Sequence, residues 1–316
     1  MSKKINLRIR HLNLIGILGI LAFLILLPHF FSGYVVSFLI IVLMYIIIAE
    51  SWNIFGGFTG YFSLGHGAFF GVGAYVLALA LVKGGWPYFY GILLAAVGAL
   101  LVALLIGLIL LTKRMSTSYF ALITLGLNEI LRTIVTNNEF LGEAYGITLP
   151  PLPGLSTPYY ILLSVAVGVV AATYILDKST TGWVLKAISQ DEEVADTIGI
   201  NTARYKLGIF VFSAIPIGIA GAVMASFWSY VNPDMAFYLI LCFEMPIIAI
   251  LGGMGTVFGP VIAAIFVSGL KEVLSTTMPY FHLILFGALV TAVIVISPKG
   301  LSEVVKKVFP RTLGAR

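Results

Sequence analysis

Long apolar runs alternate with short polar breaks over almost the whole chain, and this rhythm predicts its elements. Runs at 12–31, 34–55, 67–82, 88–111, 118–136, 158–176, 207–228, 237–252, 257–276 and 280–297 predict about ten helices. A spanning helix needs about 20 apolar residues. None of the runs shows the period-two alternation of a barrel strand, and only helices or closed barrels satisfy their backbone in lipid. The expected fold is all-α: a polytopic integral membrane protein, with 1–316 as a single transmembrane domain. Three stretches depart from the rhythm. Gly56–His66 is too polar and glycine-rich for an ordinary span, and it reads as a re-entrant or broken piece buried in protein. The run 237–252 is short and carries Glu244 and Pro246, which makes it the weakest span. The stretch 177–206 is long and hydrophilic, with nine charged residues: Asp177, Lys178, Lys186, Asp191, Glu192, Glu193, Asp196, Arg204 and Lys206.

Composition agrees with a bilayer protein. The chain is 60% hydrophobic and 10% charged, against about 25% charged residues in soluble domains. The net charge of +5 is no nucleic-acid signal, because the basic residues cluster at the ends and in loops. Cytoplasmic loops carry an excess of Lys and Arg. That rule places both termini in the cytoplasm, with Lys113, Arg114 and the 177–206 island, and leaves Lys83 outside. Trp86, Tyr88, Trp183 and Trp228 suit interfacial anchors. The N-terminal MSKKINLRIRH followed by Leu12–Leu27 has the look of a signal peptide. Pro28, His29, Phe30 and Phe31 offer no small-residue cleavage site, so an uncleaved first span is expected. The single Cys242 forms no internal disulfide, and no His, Cys and carboxylate cluster has metal-ligand spacing. No metal and no cofactor is expected.

The island carries the first candidate chemistry. Glu193-Val194-Ala195 followed by Gly199 gives E-x-A-x-x-x-G. A short helix ended by Gly199 as its cap would set Val194, Ala195 and Ile198 on one side, ready for a partner's groove. The competing reading is a solvated loop. On the fifth run, Thr124, Asn128, Arg132 and Thr136 recur every four residues, and Glu129 is placed to pair with Arg132. Ionisable groups inside a span are functional candidates, so these residues read either as path lining or as buried packing. Glu50, Asn53, Ser63 and His66 surround the polar break and suit a cavity wall or gate; His66 reads equally as a capping or packing residue. Gly56/Gly60, Gly67/Gly71 and Gly255/Gly259 have the GxxxG spacing of close helix packing. The 137–157 loop, stiffened by Pro150, Pro151 and Pro153, is either a docking surface or a connector. Lys271-Glu272 is expected to snorkel to the outer interface, and Glu244 to accept hydrogen bonds freed by Pro246. No Gly-Lys dipeptide occurs, so the chain lacks a P-loop and is not expected to hydrolyse ATP.

The E-x-A-x-x-x-G element resembles the coupling loop of ABC importer permeases. The blocks KAISQDEEVADTIGINTARYKLGIFVFSAIPIGIAGAV (186–223), GGFTGYFSLGHGAFFGVGAY (56–75) and LGGMGTVFGPVIAA (251–264) look like branched-chain amino acid permeases of the LivM type. Asn232-Pro233-Asp234 and Pro298-Lys299-Gly300-Leu301 extend the likeness. The resemblance implies a bacterial inner-membrane subunit working by alternating access. Its implied partners are a homologous second permease, two cytoplasmic ATP-binding subunits and an extracytoplasmic substrate-binding protein. Relatives carry leucine, isoleucine and valine, and others urea or short amides. Leu141–Ile147 departs from the small polar residues that relatives often carry there. Two other classes compete on the residues alone. An ion-coupled secondary transporter would use Glu50, Glu129 and Glu244, and a membrane-embedded enzyme would use Ser63 and His66.

Overall fold

The computed structural model describes residues 22–112, 115–152 and 154–277, with single positions at 19, 287, 288 and 291. Helix α1 is described over 22–30. It is followed by α2 (Gly33–Trp52), α3 (His66–Val82), α4 (Tyr88–Leu110), α5 (Thr117–Thr136) and α6 (Ser156–Lys178). Two short helices, α7 (Thr180–Gln190) and α8 (Glu192–Thr197), precede α9 (Thr202–Trp228). Then come α10 (Pro233–Ala236), α11 (Leu239–Gly252) and α12 (Gly259–Thr277). Two-residue strands β1 (Ile147–Thr148) and β2 (Tyr230–Val231) pair antiparallel, with Ile147 opposite Val231.

Seven described helical stretches are long and apolar enough to cross a membrane, and α3 is a shorter apolar helix beside them. The expected spans from 34–55 to 257–276 each meet one of these. The first expected span, 12–31, is described mainly over 22–30, and the last, 280–297, lies outside the described residues apart from 287, 288 and 291. The described residues therefore do not carry the count to ten. The weak span 237–252 is helical, and α10 and α11 together make one apolar stretch, Pro233–Gly252.

Helix starts follow local chemistry. Ser116 caps α5 and Asn201 caps α9, each side chain accepting a backbone N–H of the first turn. Asn232 caps α10, with Pro233 at the first helical position, where its missing N–H costs nothing.

Helices α3, α4 and α9 pack as one group, and α2 lies against α6, α9 and α12. Small residues make the closest approaches. A Cβ at Gly73 would sit 1.9 Å from the Gly218 carbonyl oxygen, and one at Gly221 would sit 2.0 Å from that of Phe70. Helix α9 thus runs in backbone contact with α3. Among the expected glycine pairs, Gly67 and Gly71 lie on α3 against Cys242 Sγ and the Phe237 ring. The other two pairs do not share a helix face, because Gly60 lies just past a helix end and Gly255 lies in the turn before α12 starts. Gly56 sits beneath Trp52 of its own helix, and Gly60 and Gly255 are left-handed turn residues at φ 75° and 69°. Gly259 faces the Gly252 oxygen across the turn.

Loop contacts sort the molecule into two ends. At one end the 58–65 segment meets Met115 and Glu192 through Tyr61, while Gly60 lies against Ser189. At the other, Lys83 donates to the Phe140 oxygen, β1 pairs with β2, and Tyr34 bonds Glu272.

The α3–α9 contact should be intolerant of a single methyl. Overpacking of this kind costs about 1–3 kcal/mol, so Gly221→Ala should lower the thermal unfolding midpoint in detergent. Gly208, also on α9, has open space where its Cβ would go, and Gly208→Ala should hold or raise the midpoint, since Ala is the better helix former. Equal midpoints for the two variants would refute backbone contact.

Candidate functional site

The break after α2 brings the predicted polar residues together. The helix widens into a π-helical turn, Asn53–Gly57, and leaves the helical path at Gly60. Backbone groups freed at membrane depth need protein partners, and side chains supply them. Trp52 Nε1 donates to the Ser63 oxygen at 2.7 Å, Leu64 N to Thr124 Oγ1 at 3.1 Å, and Gly65 N to Ser63 Oγ at 3.3 Å. Asn53 clamps the turn between α11 and α12 from both ends of its amide. Its Nδ2 donates to the Thr256 oxygen at 2.9 Å, and its Oδ1 accepts from Gly255 N at 2.8 Å. Glu50 is fully buried one turn earlier, with Oε2 3.0 Å from Thr173 Oγ1 of α6.

His66 is sealed within this assembly. Ser213 donates its hydroxyl to the Phe210 oxygen at 2.8 Å, so it accepts at 3.1 Å from a protonated Nε2 of His66. Nδ1 then accepts from the Ser63 hydroxyl at 2.8 Å. The rings of Phe55, Phe69 and Phe210 surround the imidazole with centroids within 5.7 Å. Both ring nitrogens are occupied and Ser63 is fully buried, so the pair offers no opening to a substrate. Among the described residues, no group of three or more His, Cys, Asp or Glu is placed to hold a metal.

The stripe on α5 divides in two. At 3.6 residues per turn, every fourth residue drifts by about 40°. Thr124 and Asn128 therefore face inward and are fully buried, with Asn128 Nδ2 donating to the Phe237 oxygen at 2.9 Å. Glu129 and Arg132 emerge with side chains 39% and 43% exposed, 3.1 Å apart. Arg132 also donates Nε and Nη2 to Asp234 Oδ1 at 2.9 and 2.5 Å. Thr136 closes the helix by donating to the Arg132 oxygen.

The island folds into α7, α8 and the first turn of α9. Asp191 caps α8, its Oδ1 accepting from Glu193 N at 2.9 Å and Val194 N at 3.0 Å. The other end is a Schellman cap: Ile200 N donates to the Ala195 oxygen, Gly199 N to the Asp196 oxygen, and Gly199 takes φ 91°. Expectation and structure differ on the faces of this helix. Val194 and Ile198 point outward at 56% and 70% exposure, but Ala195 is only 2% exposed and faces the protein. In one and a half turns, adjacent residues cannot share a side. Glu193 is exposed next to Val194.

Sequence reasoning missed what roots this helix. Glu192 Oε1 meets Lys206 Nζ of α9 at 2.5 Å and Thr202 Oγ1 at 3.1 Å. Its Oε2 accepts from the Tyr61 hydroxyl at 2.6 Å. Lys206 is 1% exposed. Burial alone would raise the Glu192 pKa, but hydrogen bonds from Lys206, Tyr61 and Thr202 outweigh it and hold the carboxyl below its ordinary value. Next to this group lies an open recess of ≈ 310 Å³ lined by Thr112, Asp196 and Asn201 among others. A second unforeseen network lies between the spans. Lys271 does not snorkel; it bonds Glu244 Oε1 at 2.6 Å and the Tyr45 hydroxyl at 2.7 Å. Tyr45 in turn donates to Glu244 Oε2 at 2.8 Å, so Glu244 serves this network and not the proline. An excess of buried charge was the available signal, but spacing along the chain could not name these partners.

The Asn53 clamp is directly testable. Asn53→Ala leaves Gly255 N and the Thr256 oxygen without their partner, and each unmet buried group costs about 1–3 kcal/mol. The unfolding midpoint in detergent should drop clearly. A midpoint matching the parent would mean that the amide does not hold the turn.

Known proteins resemble this chain along most of its length. LivM, the high-affinity branched-chain amino acid transport permease protein of Escherichia coli K12, is 27% identical over 306 residues, covering 87% of this chain and 71% of the relative. LivM of Salmonella typhimurium LT2 is 27% identical, covering 82% and 68%. LivH of Escherichia coli K12 is 26% identical, covering 81% and 90%. The family model described as "Branched-chain amino acid transport system / permease component" matches residues 34–297. With that match reaching from the start of α2 past the end of α12, this multi-pass membrane protein belongs to the family of branched-chain amino acid transport permease components.

Proposed function

We propose that the chain is the membrane-spanning permease subunit of an ATP-driven importer for branched-chain, apolar amino acids. It resides in a bacterial cytoplasmic membrane with both termini cytoplasmic. Family membership and the role of the LivM and LivH relatives support the transport class and the solute. A chain without a Gly-Lys dipeptide has no P-loop, so ATP is hydrolysed by two separate cytoplasmic subunits. A homologous second permease completes the membrane unit, and an extracytoplasmic binding protein delivers the solute. Within the single domain 1–316, the segment 177–206 is the coupling loop.

The observation that carries this reading is α8. It is a short helix capped at both ends, rooted by buried Ala195 and presenting exposed Val194 and Ile198 beside Glu193. Two apolar side chains on a protruding helix suit a groove on a soluble partner. The path reading moves to the outward side of α5, where Glu129 and Arg132 emerge. A zwitterionic solute needs groups of both signs, and Arg132 with Glu129 and Asp234 offers them. Thr124, Asn128, Asn53, Ser63 and His66 stand behind that side and hold the helices that shape it.

The test uses the assembled transporter in proteoliposomes. Val194→Cys and Ile198→Cys should cross-link to an ATP-binding subunit, and Glu143→Cys at the opposite end should not. Glu193→Ala combined with Gly199→Pro should abolish leucine uptake while insertion into the membrane persists. Full uptake by that double variant would sink the coupling role of the loop.

A further inference from the structure

Glu192 lies immediately before the E-x-A-x-x-x-G element and points away from the surface that α8 presents. Its two oxygens collect bonds from three side chains on two elements: Lys206 and Thr202 of α9, and Tyr61 of the segment between α2 and α3. Tyr61 also donates toward the Met115 oxygen at 3.2 Å, in the link between α4 and α5. Lys206 Nζ reaches the Tyr61 hydroxyl at 3.1 Å and lies 4.5 Å from the centre of its ring. The ammonium is almost wholly buried, and a buried charge separated from its partner is strongly disfavoured. Helix α8 therefore cannot move away from α9 without either stranding that charge or taking the base of α9 with it.

The contacts continue inward. The Tyr61 ring packs edge-on against Phe120 of α5, with centroids 5.4 Å apart. Phe120 meets Phe55 at 5.8 Å and Phe210 at 6.0 Å. Phe210 meets His66 at 5.5 Å. One charged group at the root of α8 is thus joined by packed aromatic rings to α2, α3, α5 and α9. Close-packed interiors transmit displacement because they hold few voids to absorb it.

We propose that Glu192, Lys206 and Tyr61 form an ion-pair strut that converts movement of α8 into movement of α9 and of the break after α2, with Glu192 as its positioning residue. The proposal rests on α8 being the docking helix for the ATP-binding subunits. It differs from a merely stabilising pair in what it controls: the amount of solute moved per ATP, not the amount of folded protein.

The experiment uses the full transporter in proteoliposomes with its binding protein and leucine outside. Three quantities are read together: leucine uptake, ATP hydrolysis, and cross-linking through Val194→Cys. Tyr61→Phe, which removes only a hydroxyl, and Lys206→Met should keep the cross-link and continued ATP hydrolysis while leucine moved per ATP falls about tenfold, within the usual range of coupling between sites. The exchange Glu192→Lys with Lys206→Glu should restore most of that ratio. An unchanged ratio in Tyr61→Phe and Lys206→Met, with the cross-link intact, overturns the strut. So does loss of the cross-link and of uptake together with no rescue by the exchange, which marks a stabilising pair alone. Absence of the cross-link in the Val194→Cys transporter with no other change instead overturns the docking reading, and the strut with it.

Discussion

Hydrocarbon offers no hydrogen bonds, so a chain that stops being helical inside a membrane must find every partner in its own protein. The break between α2 and α3 is governed by that constraint. Asn53, Ser63, Thr124 and Trp52 each bond a backbone group of the irregular segment or of the turn beside it. Their burial is explained by this duty. The same constraint ties together elements far apart in sequence, because the partners come from α5 and from the turn that joins α11 to α12. A polar residue at membrane depth need not mark the route of a solute. Here most of them mark the place where the backbone changes direction.

The spans were legible because crossing a bilayer imposes its requirement on consecutive residues: a long apolar run is itself the physical condition. The C-cap at Gly199 was legible for a similar reason, since a left-handed cap favours a residue without a Cβ. The inward turn of Ala195 was not, because a six-residue helix is too short for its own pattern to say which side meets the protein. The closest helix contact was also hidden. Gly73 was visible as one glycine among several, but its partner Gly218 lies far along the chain on α9, as does Gly221, which meets Phe70. The pairs of Glu192 with Lys206, Glu244 with Lys271, and Arg132 with Asp234 share that difficulty. Each joins residues brought together by folding, and a single sequence records the charges without recording their meeting.

Helix α5 shows how one periodicity serves two purposes. Its inward residues lock it to the break and to the segment before α11, through Thr124 and Asn128. Its outward charges are joined to one another and to Asp234, at the end where α10 begins. A span built this way is held by hydrogen bonds on one side while the other carries ionised groups that lipid receives poorly. That asymmetry favours protein or water over lipid against the outward side.

The length of α3 connects these observations. Its 17 residues rise about 26 Å at 1.5 Å each, short of a hydrocarbon core of about 30 Å. The 60–65 segment makes up the difference without being helical, so it cannot satisfy itself and leans on α5 and α7. It also leans, through Tyr61, on α8. A regular helix at this position would be rigid and self-contained, and displacement of its neighbours would leave its backbone bonds intact. An irregular segment bonded outward to several elements must re-form its bonds when any of them shifts. The same shortfall that makes the break costly thus leaves it bonded to the island through Tyr61 and to the buried side of α5 through Leu64.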